Sequence, residues 1–271
     1  MAIHPTAIVE DGAALGAGAE IGPFCIVERG AALGEGVRLI SHAMIHSGAE
    51  IGARTVVHPN AVLGGDPQIR GTDNAGTKLT VGADCVIREG VTLNRGSIKG
   101  GGITSVGDRC YLMAYSHVGH DSHIGNDVTF ANSVAIAGHV EVGDGVIAGG
   151  LSCVQQFGRI GRYAFIGGMT GMNEDLIPYG IAFGDHAQLA GLNLIGLKRR
   201  GVPRVNIHAM RAAYRMIFQS DEGSLADRAK HARETWPDAA EVQEVAEFIL
   251  AEAKRPVCTA RARGQSAEDE T

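Results

Sequence analysis

The stretch from Ile3 to Leu39, IHPTAIVEDGAALGAGAEIGPFCIVERGAALGEGVRL, carries an aliphatic residue at every sixth position without a miss. The series continues to Leu63, and a second series of apolar residues with the same spacing runs from Val106 to Ile166. A small or branched residue stands four positions after most members of both series, and a glycine often comes directly after them. A six-residue period matches neither the 3.6-residue helix nor the two-residue strand.

This period is typical of a hexapeptide β-helix, in which short strands meet at corners and each side supplies one large and one small interior residue. If each coil has three sides, residues i and i+18 are stacked neighbours about 4.8 Å apart. The sequence therefore predicts a mainly β fold, a parallel β-helix over residues 1–185. Cys25, Cys85 and Cys110 fall on the small interior position, which predicts buried side chains rather than ligands or nucleophiles.

Two segments interrupt the period, and both predict loops that project from the coils. Residues 64–80 are rich in Gly, Pro and Asp, and residues 96–103 shift the register by one residue. From residue 186 the spacing of apolar residues becomes helical, which predicts a helical domain over 186–256 that covers the end of the β-helix. Helices are predicted over 187–200 and 204–219, a third after Ser224 and a fourth after Pro237. The polar residues 257–271 predict a disordered tail.

Composition excludes several classes of protein. The 271 residues carry 24 Lys+Arg against 30 Asp+Glu, and a net charge of −6 argues against a general nucleic-acid binder. No apolar run is long enough to span a membrane, and the N-terminus lacks the features of a signal peptide. Five cysteines without a CxxC motif indicate a reducing, cytoplasmic setting.

The densest polar cluster is the run His117-Val-Gly-His120-Asp121. Val118 holds an interior position, so His117 and His120 are expected outside the core, and His139 is expected beside Asp121 on the next coil. An imidazole near its ordinary pKa of about 6.5 can accept a proton from a hydroxyl, with a carboxylate to orient it. Three histidines with an open position also fit a zinc site, as in β-helical carbonic anhydrases.

Together, the repeat, the HVGHD run and the helical C-terminal part resemble the acyl-[acyl-carrier-protein]–UDP-N-acetylglucosamine O-acyltransferases. The resemblance covers nearly the whole chain and rests on the runs IGPFCIV (21–27), LNRGSIKGGGITSVG (93–107), SHVGHDSHIGN (116–126), AGHVEVGD (137–144), GGLSCVQQF (149–157) and GLNLIGLKRRG (191–201). It implies a left-handed parallel β-helix, a homotrimer with active sites between neighbouring subunits, and no cofactor or metal. The implied reaction moves an (R)-3-hydroxyacyl chain from acyl carrier protein to the 3-OH of UDP-N-acetylglucosamine, the first step of lipid A synthesis.

The resemblance also assigns roles to individual residues. It implies that His120 is the general base, that Asp121 orients it, and that the backbone N–H of Gly138 stabilises the oxyanion. The implied substrate-binding residues are His117, His139, Gln156, His186, Asn193, Arg199 and Arg200. Gly168 matches a position that limits acyl length, where a glycine implies a chain of about 14 carbons, by analogy with the family. On the helical part, Arg204, Arg211 and Arg215 offer charge for the acidic carrier protein.

Three departures from the family pattern keep alternatives open. Residues 68–72 read QIRGT, so Ile69 and Gly71 replace an Asp and a Lys that approach the sugar in many members. Gln155 stands where histidine is common, and Ile195 where some members place a ribose-binding Glu. The first departure leaves room for acylation of a 3-amino analogue of the sugar nucleotide. More distant alternatives are a later N-acyltransferase of lipid A synthesis, the zinc carbonic anhydrase, and a β-helical scaffold without catalytic activity.

Overall fold

The computed structural model describes residues 2–71 and 75–260. In this part the chain winds through three sheets of short strands and then enters four helices. The first sheet consists of β1 Ala2–Ile3, β4 Glu20–Ile21, β7 Arg38–Leu39, β10 Val56–Val57, β13 Val86–Ile87, β16 Tyr111–Leu112, β19 Thr129–Phe130, β22 Ile147–Ala148, β25 Phe165–Ile166, β27 Gly180–Phe183 and β28 Gln188–Leu192.

The second and third sheets alternate with the first along the chain. The second consists of β2 Ile8–Val9, β5 Ile26–Val27, β8 Met44–Ile45, β11 Val62–Gly65, β14 Thr92–Asn94, β17 His117–Val118, β20 Ala135–Ile136, β23 Cys153–Val154 and β26 Gly171–Met172. The third consists of β3 Ala14–Leu15, β6 Ala32–Leu33, β9 Ala49–Ile51, β12 Lys78–Val81, β15 Ile103–Val106, β18 His123–Ile124, β21 Glu141–Val142 and β24 Arg159–Ile160.

Strand pairing confirms the predicted β-helix. All pairs between successive coils are parallel, and in uninterrupted coils residue i pairs with i+18, as Ala2 does with Glu20. The hexad residues fill the interior, where Leu63, Val118 and Ile136 have no exposed surface. Cys25, Cys85 and Cys110 are buried as predicted. This apolar column is the largest stabilising feature of the fold, since burying one such side chain contributes about 1.5–3 kcal/mol.

Both predicted insertions form loops that project from the β-helix, and the stacked apolar interior continues on either side of them. The first lies between β11 and β12, and Leu79 pairs with Ala49, thirty residues back, instead of eighteen. The second contains a short 3-10 helix, Ile98–Gly100, before β15. In both cases the strands on either side regain their pairing, because the inward apolar residues fix which face of each strand is buried.

The helical region differs from its prediction at its start. Residues 188–192 form β28, antiparallel to β27, rather than the first turns of a helix. The predicted boundary at 185/186 therefore falls inside a hairpin. Leu189 is buried in this strand, so an apolar spacing compatible with a helix is used by a strand that pairs with an otherwise open edge. Helix α1 spans only Leu194–Arg199.

The other three helices follow the sequence prediction closely. Helix α2 spans Arg204–Phe218 after Pro203, and α3 spans Leu225–Thr235 with Ser224 as its capping residue. Helix α4 spans Ala240–Leu250, so it begins three residues after Pro237. Their buried faces join the hydrophobic core that ends the β-helix. No helix among the residues described has the length and apolarity needed to cross a membrane.

The predicted disordered tail begins too early at residue 257. Val257 pairs with Asp175 in an isolated parallel bridge, and the Cys258 side chain has no exposed surface. The Cys258 N–H donates to the Asp175 carbonyl, 2.8 Å away. These contacts fasten the chain after α4 to the last coil. The prediction for residues 261–271 lies outside the described part of the chain.

Candidate active site

The corner between the second and third sheets carries the HVGHD run. We call it the histidine corner, and it comprises residues 119–121 with the stacked residues 137–139 and 155–157. Asp121 and His139 occupy the left-handed position of successive coils, with φ of 59° at each. The His139 N–H donates to the His120 carbonyl, 2.9 Å away. Backbone stacking therefore brings His120, Asp121 and His139 together, as the sequence predicts.

Asp121 is held by the second loop. Its Oδ1 accepts the Ser97 N–H at 2.7 Å, and its Oδ2 accepts the Ser97 hydroxyl at 2.6 Å. The loop passes so close that a Cβ on Gly100 would lie 2.1 Å from Asp121 Cγ, so a side chain at residue 100 would displace the carboxylate. Burial acts to raise the pKa of Asp121, but hydrogen bonds from Ser97 and His120 outweigh it and lower that pKa.

An ionised Asp121 fixes the tautomer of His120. The His120 Nδ1 lies 2.8 Å from Asp121 Oδ2, and an ionised carboxylate only accepts hydrogen bonds. The proton of the neutral imidazole therefore resides on Nδ1, which leaves Nε2 as a proton acceptor. His120 is only 7% exposed, so bulk water does not readily compete for that nitrogen.

Gly138 lies directly above the His120 ring. A Cβ at residue 138 would come 2.5 Å from His120 Cε1 and 2.6 Å from Nε2. A side chain larger than that of glycine would therefore overlap the imidazole ring in its present position. Within residues 2–71 and 75–260, the Gly138 N–H makes no hydrogen bond. A free backbone donor thus lies beside the basic nitrogen, an arrangement suited to a reaction that develops charge on an oxygen.

A groove of about 670 Å³ runs across the second sheet from this corner. His117, His120, Gly138, Gln156 and His186, all predicted site residues, line it together. His117 Nδ1 lies 2.8 Å from Thr92 Oγ1, and burial lowers the pKa of His117. The floor bears the small outward residues Ala135, Cys153 and Gly171, so the groove is open along its length.

His139 belongs to the opposite side of the histidine corner. It lines a second hollow of about 440 Å³ on the third-sheet side, together with Asp121 and Phe157. Its ring stacks on Phe157 with centroids 4.7 Å apart, and its Nε2 lies 3.8 Å from Asp121 Oδ2. Burial lowers the pKa of His139, which favours the neutral ring. His139 is therefore absent from the groove lining, although its ring lies beside the Asp121 carboxylate.

Three predicted residues lie at a different corner. Asn193 caps α1 and donates from Nδ2 to the Tyr163 carbonyl, 3.1 Å away. The Arg200 guanidinium lies 3.7 Å from the centroid of the Tyr163 ring, and Arg199 is exposed beside it. Tyr163 belongs to the corner between the third and first sheets. Asn193, Arg199 and Arg200 are therefore absent from the groove lining of their own chain.

Gly168, the predicted limit to acyl length, is exposed at the third corner, between the first and second sheets. A Cβ there would meet only the backbone of Gly150, with the carbonyl oxygen at 3.3 Å and the nitrogen at 4.0 Å. Its φ is not positive, so the backbone does not demand glycine at this position. The close approach of the Gly150 backbone, rather than the backbone conformation of the turn, therefore favours glycine at residue 168.

Asn94 is a groove residue that the sequence analysis did not single out. Its Nδ2 donates to the carbonyl oxygens of Gly65 and Asp66, at 3.3 and 2.7 Å. Both neighbours are acceptors, so the amide orientation is fixed and Oδ1 is left over. That oxygen is buried and has no partner among the described residues, although Asn94 lines the groove. Its position in the run LNRGSIKGGG was visible, but its environment depends on the first loop.

A metal site fits this corner poorly. Among the described residues, the donor atoms that come within 4.8 Å of one another belong to His120, Asp121 and His139, not to three histidines. Both Asp121 oxygens already accept hydrogen bonds from Ser97 and His120. The carboxylate would have to give up these bonds to bind an ion. The geometry therefore favours proton transfer by His120 over the predicted zinc alternative.

Comparison with known proteins identifies the family of the chain. Residues 175–258 match the family model for domain 2 of UDP-N-acetylglucosamine O-acyltransferase, and residues 103–138 match the bacterial transferase hexapeptide model. The acyl-[acyl-carrier-protein]–UDP-N-acetylglucosamine O-acyltransferase of Sinorhizobium medicae is 50% identical over 253 residues, which are 93% of each chain. The chain belongs to this O-acyltransferase family.

Solved structures extend the similarity to the whole fold. The family member from Acinetobacter baumannii superposes with a TM-score of 0.91 at 33% identity, over 94% of this chain and 99% of that one. The UDP-N-acetylglucosamine acyltransferase of Campylobacter jejuni gives a TM-score of 0.90 at 34% identity, over 96% and 100%. The β-helix and the helical end thus occur together in these O-acyltransferases, as the sequence predicts.

Proposed function

We propose that this chain transfers an (R)-3-hydroxyacyl group from acyl carrier protein to the 3-OH of UDP-N-acetylglucosamine, the first step of lipid A synthesis. The observation that carries the proposal is the pairing of His120 with Asp121 beneath the free N–H of Gly138, inside a groove. Family membership supplies the substrate classes. Since its five cysteines are free, we place the reaction in the reducing cytoplasm.

The geometry supports direct attack. His120 Nε2 accepts the proton of the sugar hydroxyl as its oxygen forms a bond to the thioester carbonyl carbon. The Gly138 N–H stabilises the negative charge on the carbonyl oxygen. When the carbon–sulfur bond breaks, the imidazolium returns the proton to the departing thiolate of the carrier. Asp121 stays ionised and stabilises the imidazolium. Because the sugar oxygen itself bonds to the carbonyl carbon, no acyl-enzyme is formed.

The groove beyond Gly138 suits an acyl chain. Ala135, Cys153 and Gly171 project little from the second sheet, and Gly168 lies where this sheet turns to the first. Burial of each methylene contributes about 0.8 kcal/mol, so an open groove favours a long chain. We propose a chain of about 14 carbons, on the family analogy for a glycine at residue 168.

A homotrimer would account for the residues that lie away from the groove. Asn193 and Arg200 contact Tyr163 at another corner, and Arg199 is the exposed residue before Arg200. We propose that these three residues complete the site of a neighbouring subunit. Arginine suits the diphosphate of the nucleotide because its planar guanidinium donates two parallel hydrogen bonds. Exposed Arg204, Arg211 and Arg215 on α2 offer a positive surface for the acidic carrier protein.

The experiment that tests the function compares two acceptors. Purified enzyme receives 3-hydroxymyristoyl-acyl carrier protein with UDP-N-acetylglucosamine or with its 3-amino analogue, and products are identified by mass spectrometry. We expect an ester from the hydroxyl acceptor that is lost in His120→Ala. Product from the amino analogue alone would move the function to amide formation. No acyl product from either acceptor, over a series of chain lengths, would overturn the proposal.

A further inference from the structure

The segment that follows α4 reaches back to the wall of the groove through Arg255. Its Nη1 donates to Gln155 Oε1 at 3.0 Å and to the Asn173 carbonyl at 2.9 Å, and its Nε donates to the Gln156 carbonyl. Residues 155, 156 and 173 all line the groove. One guanidinium from the segment after α4 therefore binds two successive coils of the β-helix beside the active site.

The contact with Arg255 fixes the orientation of the Gln155 amide. A guanidinium only donates hydrogen bonds, so the amide must present its oxygen to Arg255. The Nε2 is then left with two N–H donors and has no hydrogen-bond partner among the residues that the structure describes. Because Gln155 is exposed and lines the groove, these donors are accessible to a bound substrate.

Stacking of the coils places Gln155 near the reacting groups. Ile136 pairs with Val154, so Gln155 follows directly above Ala137, the residue before Gly138. Adjacent strands lie about 4.8 Å apart. The backbone of Gln155 therefore lies one coil away from the residues beside the His120 ring.

We propose that Gln155 is a substrate-positioning residue whose Nε2 donates a hydrogen bond to an oxygen of the bound substrate, and that Arg255 is a positioning residue that acts through Gln155. The substrate oxygen that accepts this hydrogen bond belongs either to the acyl donor or to the sugar nucleotide. This inference rests on the proposed function and adds a residue that orients the bound substrate in the groove.

Gln155→Glu is the sharpest variant, because a carboxylate still accepts from Arg255 but presents an acceptor in place of the donor. We expect an unfolding midpoint at or above that of the wild type and kcat/KM lower by about tenfold or more. A higher KM for UDP-N-acetylglucosamine assigns the oxygen to the sugar nucleotide, and a higher KM for the acyl carrier substrate assigns it to the acyl donor. Unchanged kcat and KM values would overturn the inference.

A double-mutant cycle tests whether Arg255 acts through Gln155. Arg255→Met should lower kcat/KM in the wild-type background and leave it unchanged in the Gln155→Met background, while Arg255→Lys restores part of the activity. Equal loss in both backgrounds would show a purely structural role for Arg255. If the wild-type enzyme transfers no acyl group, the proposed function fails. If wild-type activity is normal and the variants match it, only this inference fails.

Discussion

Two corners of the same coils use the same backbone position in opposite ways. At the corner between the third and first sheets, here the carboxylate corner (residues 107–109, 125–127 and 143–145), the middle residues of the first two turns are each capped by a side chain of the next coil. The Asp108 N–H donates to Asn126 Oδ1 at 2.8 Å, and the Asn126 N–H donates to Asp144 Oδ1 at 2.7 Å. At the histidine corner, the equivalent N–H of Gly138 makes no hydrogen bond among the residues described.

The difference follows from which side chain the turn carries. A short Asp or Asn side chain reaches the neighbouring N–H and closes the ladder. By the same register, the residue that would cap the Gly138 N–H is Gln156, whose longer side chain makes no such bond among the described residues, and the residue that would cap the His120 N–H is Gly138, which has no side chain. An uncapped donor loses a stabilising hydrogen bond, worth about 1 kcal/mol, but it remains available for substrate. In the same coils, the carboxylate corner thus contributes stability through its capped N–H groups, and the histidine corner keeps an N–H group free for the reaction.

The largest effect is expected for His120→Ala. Without the base, kcat should fall by about 100- to 10,000-fold, while the unfolding midpoint stays within about 2–4 °C because the ring lies outside the aliphatic core. Acyl transfer and thermal unfolding measure the two effects. His123→Ala, at an exposed histidine on the adjacent strand, is the control and should retain activity. Substantial activity in His120→Ala would show that another group is the base.

Asp121→Asn tests the orienting carboxylate. We expect kcat to fall by about 100-fold or more, because the amide no longer stabilises the imidazolium. The pKa of Asp121 is lowered in the folded protein, so its ionised form contributes stability above its unfolded pKa of about 3.9. That contribution is lost as pH falls through the folded pKa. Urea midpoints of wild type and variant should therefore converge below pH 4, and a constant difference would contradict the assignment.

Gly138→Ala tests whether the close approach of Gly138 to the His120 ring is needed for catalysis. The added Cβ would overlap the ring, so we expect the imidazole to shift and kcat to fall by about 100-fold, comparable to loss of an oxyanion donor. Gly168→Ala serves as the control, since a Cβ there meets only the backbone of Gly150 and lies far from His120. It should keep the rate with short acyl chains. Equal rates for Gly138→Ala and wild type would remove the close approach from the mechanism.

Asn94→Leu probes the leftover amide oxygen in the groove. If this oxygen accepts a hydrogen bond from the sugar nucleotide, its loss should raise KM for UDP-N-acetylglucosamine by about tenfold. Asp66→Ala breaks the pairing of Asp66 with Arg95, which also holds the first loop, but keeps the Asn94 amide. If the loop alone were responsible, Asp66→Ala would raise KM as much as Asn94→Leu does.

The smallest catalytic effect is expected at the carboxylate corner. Asn126→Ala removes the cap on the Asp108 N–H, which should lower the free energy of unfolding by about 1 kcal/mol and leave kcat unchanged. Chemical unfolding and acyl-transfer assays on the same preparation measure both quantities. A large loss of kcat would mean that this corner also takes part in the reaction.

The six-residue period of the sequence predicts which residues face the interior and which lie at corners. It does not predict contacts between segments that are far apart in the chain. Hexad spacing was enough to place Val118 inside and His120 at a corner, since register follows from which residues are apolar. It could not show that Asp121 is held by Ser97 or that Asn94 faces the groove, because both depend on how the loops fold back. The apolar spacing around Leu189 suits a helix or a strand. The sequence therefore predicts a helix there, and only pairing with β27 decides for a strand.

The most direct test of this account measures kcat and unfolding for His120→Ala and Asn126→Ala side by side. The account predicts a crossed result: His120→Ala loses activity by at least about 100-fold and keeps its stability, while Asn126→Ala loses about 1 kcal/mol of stability and keeps its activity. Parallel losses, in which each variant loses activity in proportion to its stability, would contradict the division of roles between the two corners.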